Sequence, residues 1–165
     1  MDTPDETPVD ADVDLSVPAE RAELRPSVLP VLGAIAIGGV AGALARYGLA
    51  EAFPHDPGQF AWSTFAANVS GCLLIGVLMT MVSHVWTGRR LVRPFLGVGV
   101  LGGYTTFSTY AVEIEEAVSA GAARTALLYL AGTLVAALLA VWAGAALTST
   151  VIHAVRRHSH RQATP

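Results

Sequence analysis

Residues 99–110 read GVLGGYTTFSTY, from Gly99 to Tyr110, inside an otherwise apolar stretch of the chain. Two adjacent glycines and four serine or threonine hydroxyls stand where the middle of a membrane-crossing helix is expected. Paired glycines cost a helix roughly 1 kcal/mol each against alanine, and β-branched threonines recover little of it. The pattern predicts a helix broken by an unwound turn at Gly102 to Thr106. A break frees backbone carbonyls, which in hydrocarbon need partners or a polar cavity to line. Freed carbonyls are good ligands for a hard cation such as Na⁺.

The surroundings of that segment point to a membrane. The chain has 165 residues, 53% hydrophobic and only 14% charged, with a mean hydropathy of +0.52. This is too apolar for a soluble domain of that size. Charge-free runs of 20, 32, 19 and 31 residues separate Arg25 from Arg46, Asp56 from Arg89, Arg93 from Glu113 and Arg124 from Arg156. Each run can supply a helix of about 20 residues, enough to cross roughly 30 Å of hydrocarbon. The predicted helices are 28–50, 61–86, 92–119 and 123–152, joined by short turns at 54–58, 88–93 and 119–122. The expected fold class is an all-α membrane protein with four transmembrane helices, the third broken near its middle.

One four-helix transmembrane domain over 28–152 is thus flanked by two tails. Residues 1–27 carry eight of the thirteen acidic residues and four prolines, a composition that predicts disorder. This acidic leader is the opposite of a signal peptide, which starts basic. Residues 153–165 read as a basic polar tail. All ten basic residues are arginine, and eight lie in the N-terminal flank, the second connection or the C-terminal tail. Those segments share one side of a four-helix topology, so the positive-inside rule places both termini in the cytoplasm of a plasma-membrane protein.

Composition also removes several chemistries. The single cysteine, Cys72, gives no disulfide framework and no cysteine metal site. The five histidines lack metal-site spacing, with His158 and His160 read as part of a solvated tail. Enzymatic activity and a nucleic-acid partner are not expected. Small residues recur four apart at Gly38 and Gly42, at Gly99 and Gly103, and at Gly132, Ala136, Ala140 and Gly144. Such spacing lets helix backbones approach closely, which is how helices hold together in lipid.

Polar groups form three stripes. After the break, Phe107, Tyr110 and Glu113 fall on roughly one face, at i, i+3 and i+6. Helix two offers Thr64, Asn68 and Gly71, and helix four offers Thr125, Tyr129 and Thr133. An aromatic edge carries partial positive charge and can face a small anion. Phe107 and Tyr110 read equally as packing aromatics, and Asn68 as interhelical glue or as a donor along a path. Arg46 either draws anions to a vestibule or snorkels to the interface. Residue chemistry alone stops at a small-anion channel or carrier.

The segment at 99–110 resembles the broken-helix signature of Fluc-type (CrcB-like) fluoride channels, Gly-Gly-x-Thr-Thr-Phe-Ser-Thr-Phe. It is joined by GGVAGALARY at 38–47 and by NVSG at 68–71, in the family's order. The resemblance covers about residues 30–150. It implies an antiparallel, dual-topology dimer with two fluoride pores and a central structural Na⁺ held by the backbone carbonyls of Gly102 and Thr105. It also implies that Phe107 presents its edge to fluoride and that Asn68 donates to it. Ser108, Thr109, Tyr129 and Thr133 would belong to the polar track, with Glu113 near a pore end.

Two features depart from the family's pattern. Tyr110 replaces the second pore phenylalanine, adding a hydroxyl that either donates to fluoride or narrows the path. The arginine bias departs from dual topology and suggests a singly oriented subunit paired with an oppositely oriented homologue. Cysteine-accessibility labelling that found each tail equally on both sides would overturn that orientation. The implied function is passive export of cytoplasmic fluoride, which confers fluoride resistance. The competing readings are a structural partner subunit of a heterodimeric channel and a small multidrug exporter. Helix one lacks the intramembrane acid that such an exporter requires.

Overall fold

The computed structural model describes residues 28–86, 89 and 91–162. The acidic segment over 1–27 and residues 87, 88 and 90 of the arginine-rich turn lie outside the described residues. The elements are α1 (Val28–Ala52), α2 (Trp62–His84), a π-helix (Arg93–Leu101) running into the short α3 (Gly102–Tyr104), α4 (Ser108–Ser119) and α5 (Ala123–Gln162). No strand occurs among the described residues. Among the described residues three stretches, α1, α2 and Ala123–Val155 of α5, are long and apolar enough to cross a membrane. The 25 residues of α1 rise about 37 Å, more than the hydrocarbon thickness.

Three of the four predicted helices thus appear as continuous elements, and the third is divided. Pro94 opens the π-helix in its first turn, where a missing N–H costs nothing. The wider winding over Arg93–Leu101 has no signature in the sequence. Gly58 (φ +91°) and Gly121 (φ +75°) take left-handed conformations in the two tight connections, which only glycine adopts freely. At the C-terminal end, α5 runs 40 residues, passing the predicted end at 152. No glycine or proline interrupts 153–162, so nothing there stops the helix.

Two seams hold the bundle. Along the first, α1 lies on the π-helix and α3; along the second, α2 lies on α5, against which α4 also rests. A Cβ at Gly42 would strike the carbonyl of Val100, and one at Gly103 the carbonyl of Gly39. In the second seam, Gly76 abuts the Val141 carbonyl and Gly144 the Leu73 carbonyl. The small-residue spacing therefore marks backbone-to-backbone contact at 38, 42, 99, 103 and 144. Gly132 instead faces open space. Outward-pointing side chains are large and apolar, as at Leu127, Leu138 and Trp142, a surface suited to lipid or to another apolar protein face.

The break itself falls later than expected. Gly102, Gly103 and Tyr104 remain helical, Thr105 turns extended with ψ 157°, and helix resumes at Ser108. The paired glycines are used for packing, because Gly103 has the α1 backbone against it. The chain unwinds where α2 supplies substitute hydrogen-bond partners, at Thr106.

Candidate functional site

The unwound turn is clamped by one side chain. Asn68 of α2 donates from Nδ2 to the Thr106 carbonyl at 2.9 Å and accepts the Thr106 N–H at Oδ1 at 2.8 Å. A backbone unit removed from its helix ladder thus regains both partners, which hydrocarbon would otherwise deny it. The amide NH₂ carries two hydrogens, and its bond to Thr106 engages one of them. On the other side, Arg46 Nε donates to the Gly103 carbonyl at 3.2 Å. Ser70 and Tyr104 share a hydroxyl contact at 3.0 Å.

The carbonyls of Gly102 and Thr105 accept no hydrogen bond among the described residues, whereas Thr105 N–H and Oγ1 both donate to Leu101 O. Two carbonyl oxygens without a donor are the ligand type that fits a hard, oxygen-seeking cation. Thr106 Oγ1 accepts from the Thr109 N–H at 3.2 Å and contacts Thr109 Oγ1 at 3.0 Å. It therefore caps the restarted helix in the manner of an N-terminal hydroxyl. Ser108 contacts the same Thr106 hydroxyl at 3.3 Å.

A groove of about 560 Å³ runs beside the break, lined by Asn68, Thr105, Thr106, Phe107, Tyr110 and Thr133 among others. Phe107 is 80% exposed, and its ring lies 5.9 Å from that of Tyr110. Tyr110 OH donates to the Leu130 carbonyl of α5 at 2.7 Å. The extra hydroxyl of Tyr110 is thereby committed to the backbone and fixes its ring across the groove. Thr133 is 5% exposed, and its Oγ1 lacks a partner among the described residues. A buried hydroxyl without a partner costs about 1–3 kcal/mol. Here it leaves an unused donor on a residue that lines the groove.

The track continues to a carboxylate. Tyr129 stacks edge-on against Tyr110, with centroids 5.2 Å apart, and donates its hydroxyl to Glu113 Oε2 at 2.6 Å. Thr64 donates to Glu113 Oε1 at 2.6 Å, and His55 Nε2 lies 3.7 Å from the same oxygen. The polar stripes of α2, α4 and α5 converge at this point. Thr125 makes no hydrogen bond to the cluster among the described residues.

The structure thus brings Asn68, Phe107, Tyr110 and Thr133 around one groove and links Tyr110 through Tyr129 to Glu113, with Ser108 and Thr109 in contact with Thr106 at the break and Arg46 bonded to Gly103. Three participants carried no sequence signal: His55 of the α1–α2 connection, the Leu130 carbonyl, and Tyr104 with its contact to Ser70. Each is engaged across 20 or more residues of chain, beyond the reach of local pattern.

Comparison with known proteins bears on this arrangement. The family described as CrcB-like protein, Camphor Resistance (CrcB), matches residues 33–145. The chain is 53% identical over 117 residues to a protein of Streptomyces avermitilis called fluoride-specific ion channel FluC 2, covering 71% of this chain and 74% of that one. It is 48% identical over 143 residues to the protein of the same name from Nocardia farcinica, covering 87% of this chain and all of that one. A second Streptomyces avermitilis protein, fluoride-specific ion channel FluC 3, is 42% identical over 127 residues, covering 77% of this chain and 61% of that one.

Proposed function

The chain belongs to the CrcB-like protein family, and from that premise we propose that it is a fluoride-selective channel through which cytoplasmic fluoride leaves passively. The observation that carries this reading is the unpartnered, buried hydroxyl of Thr133, a residue that lines the groove beside the break. Fluoride is small and strongly hydrated, so it passes only where fixed donors replace its water. The free hydrogen of Asn68, the Thr133 hydroxyl and the edge of Phe107 are such donors, and none brings a full charge that would trap the ion. Ser108, Thr109 and Tyr129 extend the track, and Arg46 raises the local anion concentration.

The driving force needs no nucleotide. Fluoride that enters as neutral HF ionises at cytoplasmic pH, and an inside-negative potential is worth about 2.3 kcal/mol per charge per 100 mV for its exit. In this reading the segment over 93–119 is a fourth crossing, with both termini cytoplasmic. Two subunits pack antiparallel, and Na⁺ sits at their centre on the carbonyls of Gly102 and Thr105. That ion would supply positive charge tying the two breaks together. Exchanging Na⁺ for a bulky organic cation is expected to lower the melting temperature of the purified dimer; an unchanged melting curve would remove the ion from the proposal.

A second reading is favoured by the arginine bias. The chain is one oriented subunit that pairs with a homologous partner, and the presence of two similar proteins in Streptomyces avermitilis supports such pairing. No observation favours the small multidrug exporter. Liposomes holding the purified protein, read with fluoride and chloride electrodes, test both readings. Fast fluoride efflux without chloride efflux is expected. Phe107→Ile removes an aromatic edge contact of about 0.5–1.5 kcal/mol, and is expected to slow efflux roughly tenfold. Efflux that appears only on co-reconstitution with a homologue establishes the paired subunit, and none in either case refutes the channel.

A further inference from the structure

We propose that His55 is a proton-operated switch at the mouth of the path, whose protonation cancels the charge of Glu113 and raises fluoride passage; this rests on the channel reading above. The carboxylate of Glu113 is held by groups from three elements: Thr64 of α2, Tyr129 of α5 and His55 of the α1–α2 connection. Thr64 and Tyr129 donate hydrogen bonds but bring no positive charge. Among the described residues, the imidazole is the one group within ion-pair distance of the carboxylate that can become cationic.

The neighbouring charges do not duplicate this role. Asp56 takes a hydrogen bond from Gln59, and Glu115 takes one from Ser119. Glu51, Glu116 and Arg124 form no ion pair with His55 or Glu113 among the described residues. The titratable hydroxyls facing the pair are Tyr129, bonded to Glu113, and Tyr110, one ring further along. His55 therefore sets the net charge of the cluster, −1 when the imidazole is neutral and zero when it is protonated.

Position links that charge to permeation and to the solution. Glu113 adjoins Tyr129, which stacks on Tyr110, which lines the groove with Phe107 and Thr133. An anion at that end of the track meets the carboxylate's field. The His55 side chain is 22% exposed and borders a surface cavity of about 450 Å³ with Phe53, Phe60 and Trp62, so protons reach it from water. Histidine as a residue type changes charge between about pH 5 and 8. Cancelling one negative charge several ångströms from the path, in watery surroundings, changes anion occupancy about threefold.

Single-channel fluoride current in planar bilayers tests the switch, because leakage of neutral HF carries no current. With pH on the His55 side lowered from about 8 to about 6, wild-type current is expected to rise about threefold. His55→Arg should hold the high current at both values, and His55→Gln the low current at both. His55 lies in a connecting loop, and size-exclusion chromatography verifies that each variant is folded. A pH response that survives in His55→Gln, or equal currents in the Arg and Gln variants, overturns the proposal. Absence of fluoride current from all three proteins at every pH, both alone and co-reconstituted with a homologue, overturns the channel reading and the switch with it.

Discussion

Asn68→Ala is expected to abolish fluoride efflux while leaving a protein that still inserts into membranes. The substitution strips both hydrogen bonds from Thr106, at 2.9 and 2.8 Å, and leaves an N–H and a C=O in an apolar setting. Each unsatisfied group costs about 1–3 kcal/mol. The cheapest relief is for the chain to rewind, returning the Thr106 N–H to the Gly102 carbonyl. Rewinding turns Phe107 and the Thr106 cap away from the groove and covers one of the two free carbonyls. A bias of about 2 kcal/mol toward the rewound form lowers the open population roughly thirtyfold.

Asn68→Asp separates the two contributions of that side chain. The acid still accepts the Thr106 N–H, but it loses both donor hydrogens and adds a negative charge beside the path. It should keep the thermal stability closer to wild type than alanine does and still fail to pass fluoride. Efflux within about twofold of wild type for Asn68→Ala, measured from liposomes of matched protein content, would mean that the break holds without its clamp.

Gly103→Val is expected to lower the melting temperature by roughly 5–10 °C, or to prevent recovery of a monodisperse protein. A Cβ at this position meets the Gly39 carbonyl and the Ala43 nitrogen, both backbone atoms of α1 that no rotamer change can move. The helices must separate, and overpacking of this kind costs about 1–3 kcal/mol or more, with each kilocalorie worth about 2–4 °C in a chain of this length. Gly132→Ala is the matched control. It has open space around it and removes an interior helix glycine, which favours stability by up to about 1 kcal/mol. Melting curves in detergent compare the two. A Gly103→Val protein that melts with wild type would show that the first seam is looser than its backbone contacts imply.

Much of the architecture was legible in the order of residues. Four charge-free runs, each able to span hydrocarbon, define where helices lie, because a charge in lipid is too costly to scatter at random. The segment at 99–110 announces an interruption, because glycine pairs and hydroxyls are poor material for a spanning helix. Glycines four apart announce close contact, and the backbone abutments at Gly42 and Gly103 bear that out. The same reading started the interruption at Gly102 rather than Thr105, since glycine propensity says where a helix is weak and not where another chain segment will capture its hydrogen bonds.

Those captures belong to tertiary structure. Thr106 unwinds because Asn68, 38 residues earlier, offers a donor and an acceptor at the right separation. Sequence leaves the Tyr110 hydroxyl either donating to fluoride or narrowing the path, and a carbonyl of α5 takes that hydroxyl. His55 looks like an ordinary loop histidine until folding sets it 3.7 Å from Glu113. Hydropathy and helix propensity act on neighbours in sequence, so the chain's order determined the spans, the seams and the presence of a break. Hydrogen bonds between distant segments depend on where helices come to rest, so the position of the break, the partner of each hydroxyl and the histidine beside the carboxylate were decided only by packing.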